Sequence, residues 1–404
     1  MFLQYLETRG DKNMNNYFEF DTKAKILSGD GALSHIPYEL RARNKKKPFV
    51  LSDKGLEKIG LVEKSLKLIN FDCEYTLFLD VPTDSSIEIV NKATEIYKKE
   101  GCDCVIAIGG GSVIDTAKGV VLSLVSGESD LAKLQGADFV RKNNEVLFIA
   151  VPSTAGTGSE MTSVAVIKDA KTQLKLEYIS TFIMPDISVI DPVMTLTLPP
   201  KITASTAIDA LTHSIEAYSC LMKNPVSDAY AVCAIKLINE NLLKVIEEGK
   251  NSDARLALAN AANIAGTAFS NSMVGAVHAI GHALGAVCGV AHGDAMGVLL
   301  PHVLELNYEK CKNHYEDLLF FTNKDVFMKN KEEEHAKLFI EEIKNLLKTL
   351  NEKTGLPITL EQTGKVVKGQ FEMVVEKALA DGASIVNPVP LNKERIFEVL
   401  NKAF

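Results

Sequence analysis

From Leu256 to Gly293 the chain carries no Asp, Glu, Lys or Arg. A charge-free stretch of that length has to leave water, either into a bilayer or into protein. Its content argues for protein. Ala, Gly, Asn and Ser make a poor lipid face, and three histidines, His278, His282 and His292, fall inside it. Small side chains also let helices pack closely. The segment therefore reads as buried helices in the middle of a large helical unit. A chain of 404 residues has enough material to cover it, and is long enough for two or three cores.

The hydrophobic rhythm changes near residue 195. Before it, short apolar runs alternate with helical spacing. Strands are expected at Pro48–Ser52, Tyr75–Leu79, Cys104–Ile108, Leu147–Val151 and 187–190, with helices over Ile87–Lys99 and from Ser112 through Leu124. That alternation predicts a parallel sheet covered by helices. Ser163–Ile167 and Leu174–Ile183 read as a small antiparallel extension. After Leu198-Pro199-Pro200 the strand signals stop. Thr203–Leu221, Ser227–Glu248, Ser252–Phe269, Gly275–Val287 and Lys331–Lys353 all carry helical spacing. The expected organisation is an extension at 1–13, a Rossmann-like α/β domain at 14–197 and an all-α domain at 198–404, with a ligand cleft between the two domains.

Forty-four basic against 52 acidic residues leave a net charge of -8, which excludes a general nucleic-acid binder. No membrane segment is expected. The seven cysteines are scattered, with no zinc-knuckle or disulfide spacing. The start, MFLQYLETRGDKNMNN, lacks the basic and apolar regions of a secretory signal. These features point to reduced thiols and a cytoplasmic location.

Three constellations carry chemistry. Gly109-Gly110-Gly111-Ser112 joins a strand to a helix, where glycine lets a pyrophosphate approach backbone N–H groups and the positive helix end. Asp115 lies one turn on. The pattern is not the G-x-G-x-x-G fingerprint and has no acidic partner about 20 residues downstream. Asp53, at the end of the first strand, could hold a ribose hydroxyl and repel a 2′-phosphate; taken alone it reads as an ordinary strand-end aspartate. Second, Pro152 to Glu160 (PSTAGTGSE) places Thr154, Thr157 and Ser159 between glycines, which suits a nucleotide loop and a generic turn equally. Third, Asp209 and His213, and His278 and His282, stand at i and i+4 on single helix faces, and His292 follows in a Gly-rich turn. A carboxylate with several imidazoles suits iron or zinc.

Four runs in order, CVIAIGGGSVIDTAK (104–118), VPSTAGTGSE (151–160), LPPKITASTAIDALTHSIEAY (198–218) and VHAIGHALGAVCGVAHG (277–293), resemble the iron-containing (group III) alcohol dehydrogenases. The resemblance spans about Tyr17 to Phe404, and Asn387-Pro388-Val389-Pro390 is similar to the family's C-terminal signature. It implies a dehydroquinate synthase-like fold and an NAD(H)-linked enzyme for a small alcohol or aldehyde, often dimeric or larger. By position, Asp209, His213, His278 and His292 would hold the metal, usually Fe2+ with Zn2+ as the alternative. His282 would be the non-ligand histidine beside the nicotinamide, able to relay a proton. Gly109, Gly110, Gly111 and Ser112 match the pyrophosphate loop, Thr154 and Thr157 the nucleotide-contacting threonines, Lys175 a lysine that reaches the cofactor and Asp53 the position that selects NAD. Asp115 and Ser159 are counted with the cofactor set.

The sequence departs from the family at Val81-Pro82-Thr83-Asp84, where a Pro-Asn-Pro-Thr-like motif is usual, and at Ala283, where proline is usual. Phe320–Lys331 is longer and more polar than common. Butanol-, propanediol-, lactaldehyde- and 4-hydroxybutyrate-type enzymes share these motifs. A glycerol-dehydrogenase-like zinc enzyme, a dehydroquinate-synthase-like lyase and a non-catalytic NAD-binding module remain as alternatives. The lyase would need basic residues for its substrate, and the metal-site segments supply none.

Overall fold

The computed structural model describes residues 17–128, 131–134, 136–137, 145–169 and 174–404. The expected extension at 1–13 lies outside the described residues. Among the described residues, six strands form one parallel sheet: β1 (Lys25–Ser28), β2 (Pro48–Leu51), β3 (Thr76–Phe78), β4 (Cys104–Gly109), β6 (Leu147–Pro152) and β9 (Ile187–Ile190), in the order β1-β9-β6-β4-β2-β3. A second sheet joins β5 (Gly136–Ala137), β8 (Leu174–Ile179) and β7 (Val164–Asp169), with β7 and β8 antiparallel.

The central strands are apolar at every position because both faces are covered. Alternate residues go to opposite sides. Phe49, Leu51, Val105 and Ala107 pack with helices α4 (Ile87–Glu100) and α5 (Gly111–Ser126). Val50, Ile106 and Ile108 pack with α1 (Ile36–Ala42) and α3 (Leu61–Ile69). The chain therefore leaves β2 for one face of the sheet and leaves its neighbour β4 for the other. A crevice opens between the carboxyl ends of these two strands, the switch point of a doubly wound sheet. Asp53 follows β2, and Gly109–Gly111 ends β4.

The second half is helical: α6 (Pro200–Ser219), α7 (Pro225–Glu247), α8 (Ser252–Ser270), α9 (Ala276–Cys288), α10 (His292–Thr322), α11 (Lys324–Lys329), α12 (Glu332–Thr354), α13 (Phe371–Ala380) and α14 (Lys393–Ala403). The charge-free run becomes α8 and α9, buried among the other helices. Sequence periodicity missed β1, a short polar edge strand, and α10, which runs through an internal Pro301. Ala291–Asp294 is accordingly not a turn: Ala291 caps α10 and His292 is its first residue. The long segment at 320–331 is held by His335, whose Nε2 lies 2.9 Å from the Phe327 carbonyl and whose ring stacks on Phe327.

The two halves meet through close backbone packing and buried hydrogen bonds. Gly158, at φ +60°, sits against Gly266 of α8, and a Cβ on Gly158 would lie 2.6 Å from the Gly266 Cα. Asn263 of the same helix donates to Glu160 Oε1 (3.2 Å) and to Ser188 Oγ (2.9 Å), all three buried. Gly158→Ala combines a left-handed backbone with overpacking, so it should cost about 2 kcal/mol. Urea unfolding reads this directly, and an unchanged midpoint would show that the junction yields.

Candidate metal and nucleotide site

Asp209 and His213 lie one turn apart on α6, His278 is in the first turn of α9, and His292 opens α10. Three helices thus bring one carboxylate and three imidazoles together, with one donor atom from each all within 4.8 Å of one another. Asp209 Oδ1 lies 3.1 Å from His292 Nε2, 3.7 Å from His278 Nε2 and 3.8 Å from His213 Nδ1. The His213 ring stacks on Phe269 and on His278, with centroids 4.2 and 4.4 Å away.

Asp209 Oδ1, His213 Nδ1 and His278 Nε2 are buried without a hydrogen-bond partner. Buried polar atoms are nearly always satisfied, so three orphans aimed at one point are a donor set for a cation. The electrostatics agree. Burial opposes charge on Asp209, but His213, His292 and His278 outweigh it and hold the carboxyl well below its ordinary value. Burial pushes His213 down to about 3, which keeps this imidazole neutral and able to donate a lone pair, whereas at His278 the burial is outweighed by hydrogen bonds with Asp209 and Glu216, which raise it to about 9.

Sequence reading missed two neighbouring carboxylates. Glu216 accepts from the Val277 N–H at 2.7 Å, and its Oε2 lies 2.5 Å from His278 Nδ1. It stands at i+7 from Asp209 on the same helix face, a spacing that could have exposed it. Asp381 Oδ2 lies 2.9 Å from His282 Nδ1; nothing local in the sequence marks it. His282 stays outside the four-donor set. Its ring stacks 5.4 Å from that of His292, and the two side chains are 39% and 40% exposed. The site therefore opens on this side. Burial and the charge of Asp381 raise the Glu177 carboxyl, against the pull of His282, so Glu177 of β8 also belongs to this side.

At the sheet end, the glycines are required by contact. A Cβ on Gly109 would lie 2.5 Å from Val113, and one on Gly111 would lie 3.2 Å from Thr157. Thr154 faces Gly110, where a Cβ would lie 3.6 Å from its methyl group, so both threonines line the turn at the N-terminus of α5. The Ser112 hydroxyl donates to the Thr83 carbonyl, and Lys175 Nζ lies 2.9 Å from Asp84 Oδ1. The divergent 81–84 segment thus borders the crevice. Asp53 Oδ1 caps α2 (Lys54–Lys58) by accepting from the Leu56 N–H at 2.9 Å.

Asp115 and Ser159, expected with the cofactor set, have their side chains engaged inside the protein. Ser159 Oγ donates to Asp115 Oδ1 (2.9 Å), and the Val166 N–H donates to Asp115 Oδ2 (3.1 Å). Both carboxylate oxygens are committed inside the protein. Behind them Lys118, fully buried, donates from Nζ to Ser159 Oγ (3.0 Å), Thr162 Oγ1 (2.7 Å) and the Val164 carbonyl (2.7 Å). The three side chains brace the Thr154–Thr157 loop against α5. Asp115-x-x-Lys118 is one helical turn, so this pair was visible in the sequence.

A parallel sheet with a glycine turn at its switch point, followed by a helical half that holds a buried carboxylate–imidazole cluster, makes up a chain whose fold is shared with solved oxidoreductases. A 1,3-propanediol oxidoreductase structure matches with a TM-score of 0.90 and 32% identity, covering 96% of this chain and all of that one. The chain is 34% identical to an NADPH-dependent butanol dehydrogenase from Clostridium saccharobutylicum, over 94% of its length and 97% of the relative. It is 32% identical to an NAD-dependent methanol dehydrogenase from Bacillus methanolicus, over 96% of its length and all of the relative. Residues 23–192 match the model for iron-containing alcohol dehydrogenase, and 203–404 match that for the C-terminal part of the Fe-containing alcohol dehydrogenase family. The chain belongs to the iron-containing alcohol dehydrogenase family, and it is an oxidoreductase.

Burial lowers Lys118 to about 8 from 10.5, against the pull of Asp115 and Glu160. Below pH 8 the folded protein carries a buried charge that the unfolded chain solvates. Between pH 8 and 10.5 the unfolded chain holds the proton and the folded one releases it, so this group's contribution to stability rises with pH. Lys118→Met should cost about 2 kcal/mol at pH 7 by orphaning three acceptors. The gap between wild type and variant should then widen from pH 8 to 10.5 in urea melts, and a gap that stays constant would show that the amine is not perturbed.

Proposed function

We propose that the protein interconverts a small primary alcohol or diol and its aldehyde, using NAD(H) and a divalent metal, Fe2+ before Zn2+. The observation that carries this reading is the set of three orphaned buried donors around Asp209, beside the part-exposed His292 and His282. Asp209, His213, His278 and His292 would hold the metal. The bound metal supplies Lewis acidity toward the substrate oxygen, and the nicotinamide supplies or accepts the hydride.

The chain's own residues do the rest. Gly109 to Gly111 and the start of α5 offer backbone N–H groups and a positive helix end to a pyrophosphate. Thr154 and Thr157 line that turn. Asp381 occupies His282 Nδ1, which leaves Nε2 as the atom that exchanges a proton with the cleft. Asp53 uses Oδ1 for its helix cap, and the second oxygen is available to a ribose hydroxyl. A negative charge there disfavours a 2′-phosphate, which supports NAD(H) in a family whose relatives include both NADPH- and NAD-dependent enzymes. Asp381 on the open side, held ionised by His282 against its burial, favours a neutral substrate over a carboxylate such as 4-hydroxybutyrate, and over the anionic substrate of a lyase.

Protein stripped with a chelator should regain NADH-dependent reduction of short aldehydes when Fe2+ is added without oxygen. Recovery with Zn2+ alone and a preference for polyols would indicate the glycerol-dehydrogenase-like alternative. Absence of turnover with either metal, alongside tight NADH binding, would sink the reading. His278→Ala should abolish metal uptake and activity yet leave NADH affinity nearly unchanged. Asp53→Ser should raise kcat/KM with NADPH at least tenfold relative to NADH; an unchanged ratio would remove Asp53 from cofactor selection.

A further inference from the structure

We propose that Glu216 is the positioning residue of the metal centre, holding His278 in the tautomer that presents Nε2 and fixing the start of the helix that carries it. The inference rests on the reading that Asp209, His213, His278 and His292 hold a metal.

Asp209, His213 and Glu216 stand at i, i+4 and i+7 on one face of α6. Glu216 is buried, and both of its oxygens are used on α9. Oε2 lies 2.5 Å from His278 Nδ1. An ionised carboxylate can only accept, so the proton of a neutral His278 ring resides on Nδ1 and the lone pair on Nε2. Nε2 is the atom that lies 3.7 Å from Asp209 Oδ1 without a hydrogen-bond partner. A histidine that donates its second nitrogen to a carboxylate is also a more basic ligand.

Oε1 accepts from the Val277 N–H at 2.7 Å, one of the first-turn donors that a helix leaves unpaired. The preceding donor, the Ala276 N–H, goes to Asn387 Oδ1 at 3.1 Å. Gly275 caps the helix because there is no room for more: a Cβ there would lie 2.9 Å from Asn387 Oδ1 and 3.1 Å from Glu216 Oε1. Asn387 is itself fixed by reciprocal bonds with Asn307 at 3.0 and 2.9 Å. The C-terminal Asn387-Pro388-Val389-Pro390 motif thereby gains a role, since it supplies half of the cradle that seats α9. On α9 Asn387 bonds to a backbone N–H, whereas Glu216 reaches the ligand ring as well, so the two halves of the cradle are separable.

Glu216→Gln should weaken Zn2+ and Fe2+ binding about 10- to 100-fold, read by competition with a chromophoric chelator, with NADH affinity within twofold of wild type as the control for folding. Asn387→Ala should lower the melting temperature and leave metal affinity within threefold. Equal losses of affinity in both variants would show that Glu216 acts only by seating the helix, and would overturn the tautomer assignment. Nitrogen-15 NMR of the zinc-loaded wild-type protein tests the assignment without any variant: His278 should show a proton on Nδ1 and metal on Nε2, and the reverse would overturn it. Glu216→Gln protein that binds metal as tightly as wild type would overturn this inference alone. Wild-type protein that takes up neither ion would remove the metal reading and this inference with it.

Discussion

A carboxylate inside a helical core is tolerable only if something nearby answers its charge. Asp209 is that carboxylate, and the layout of the second half follows from answering it. Its own helix contributes His213, and two further helices have to start at the same place to contribute His278 and His292. Both of those helices begin beside it, so their positive ends add to the field around the carboxylate. The charge-free run from Leu256 to Gly293 supplies most of α8 and all of α9, so the apolar wall behind His278 adds no competing charge to the site.

The sheet meets this centre through a junction that leaves little freedom. Gly158 packs backbone to backbone on Gly266, and Asn263 reaches across to Glu160 and Ser188. Lys118, Asp115 and Ser159 then fasten the Thr154–Thr157 loop to the glycine helix. A chain of buried polar contacts therefore runs from the helical body to the crevice where a nucleotide would lie. Such networks are costly when incomplete and rigid when satisfied, which suits a site that has to hold two reactants at a set separation.

Much of this was legible along the chain. Strands buried on both faces are nearly continuous apolar runs, so β2, β4 and β6 stood out, as did β9, broken only by Ser188. Residues that share a helix face recur at three and four, so Asp209 with His213 and His278 with His282 stood out as well. The misreadings have equally local causes. The edge strand β1 is too short and polar to show a pattern. Glycine at 293 disguised the start of α10 as a turn, and the rest of that helix, which carries Pro301 inside it, was not picked out. Asp115 and Ser159 have the composition of ligand-binding residues, and only their partners reveal that they face inward.

What the sequence determined by itself was the kind of residue at each periodic position: two structural rhythms, a glycine turn between a strand and a helix, and two spaced pairs of potential ligands. Such features depend on neighbours a few residues away, and a linear pattern records them. Tertiary structure decided everything that depends on residues distant along the chain. It selected His292 and left His282 out of the donor set, paired His282 with Asp381 99 positions away, and set Glu216 against His278 across 62. It also turned the C-terminal Asn387 into the seat of a helix 111 residues earlier. These choices rest on which atoms come within hydrogen-bonding distance once the helices pack, and no local spacing encodes that.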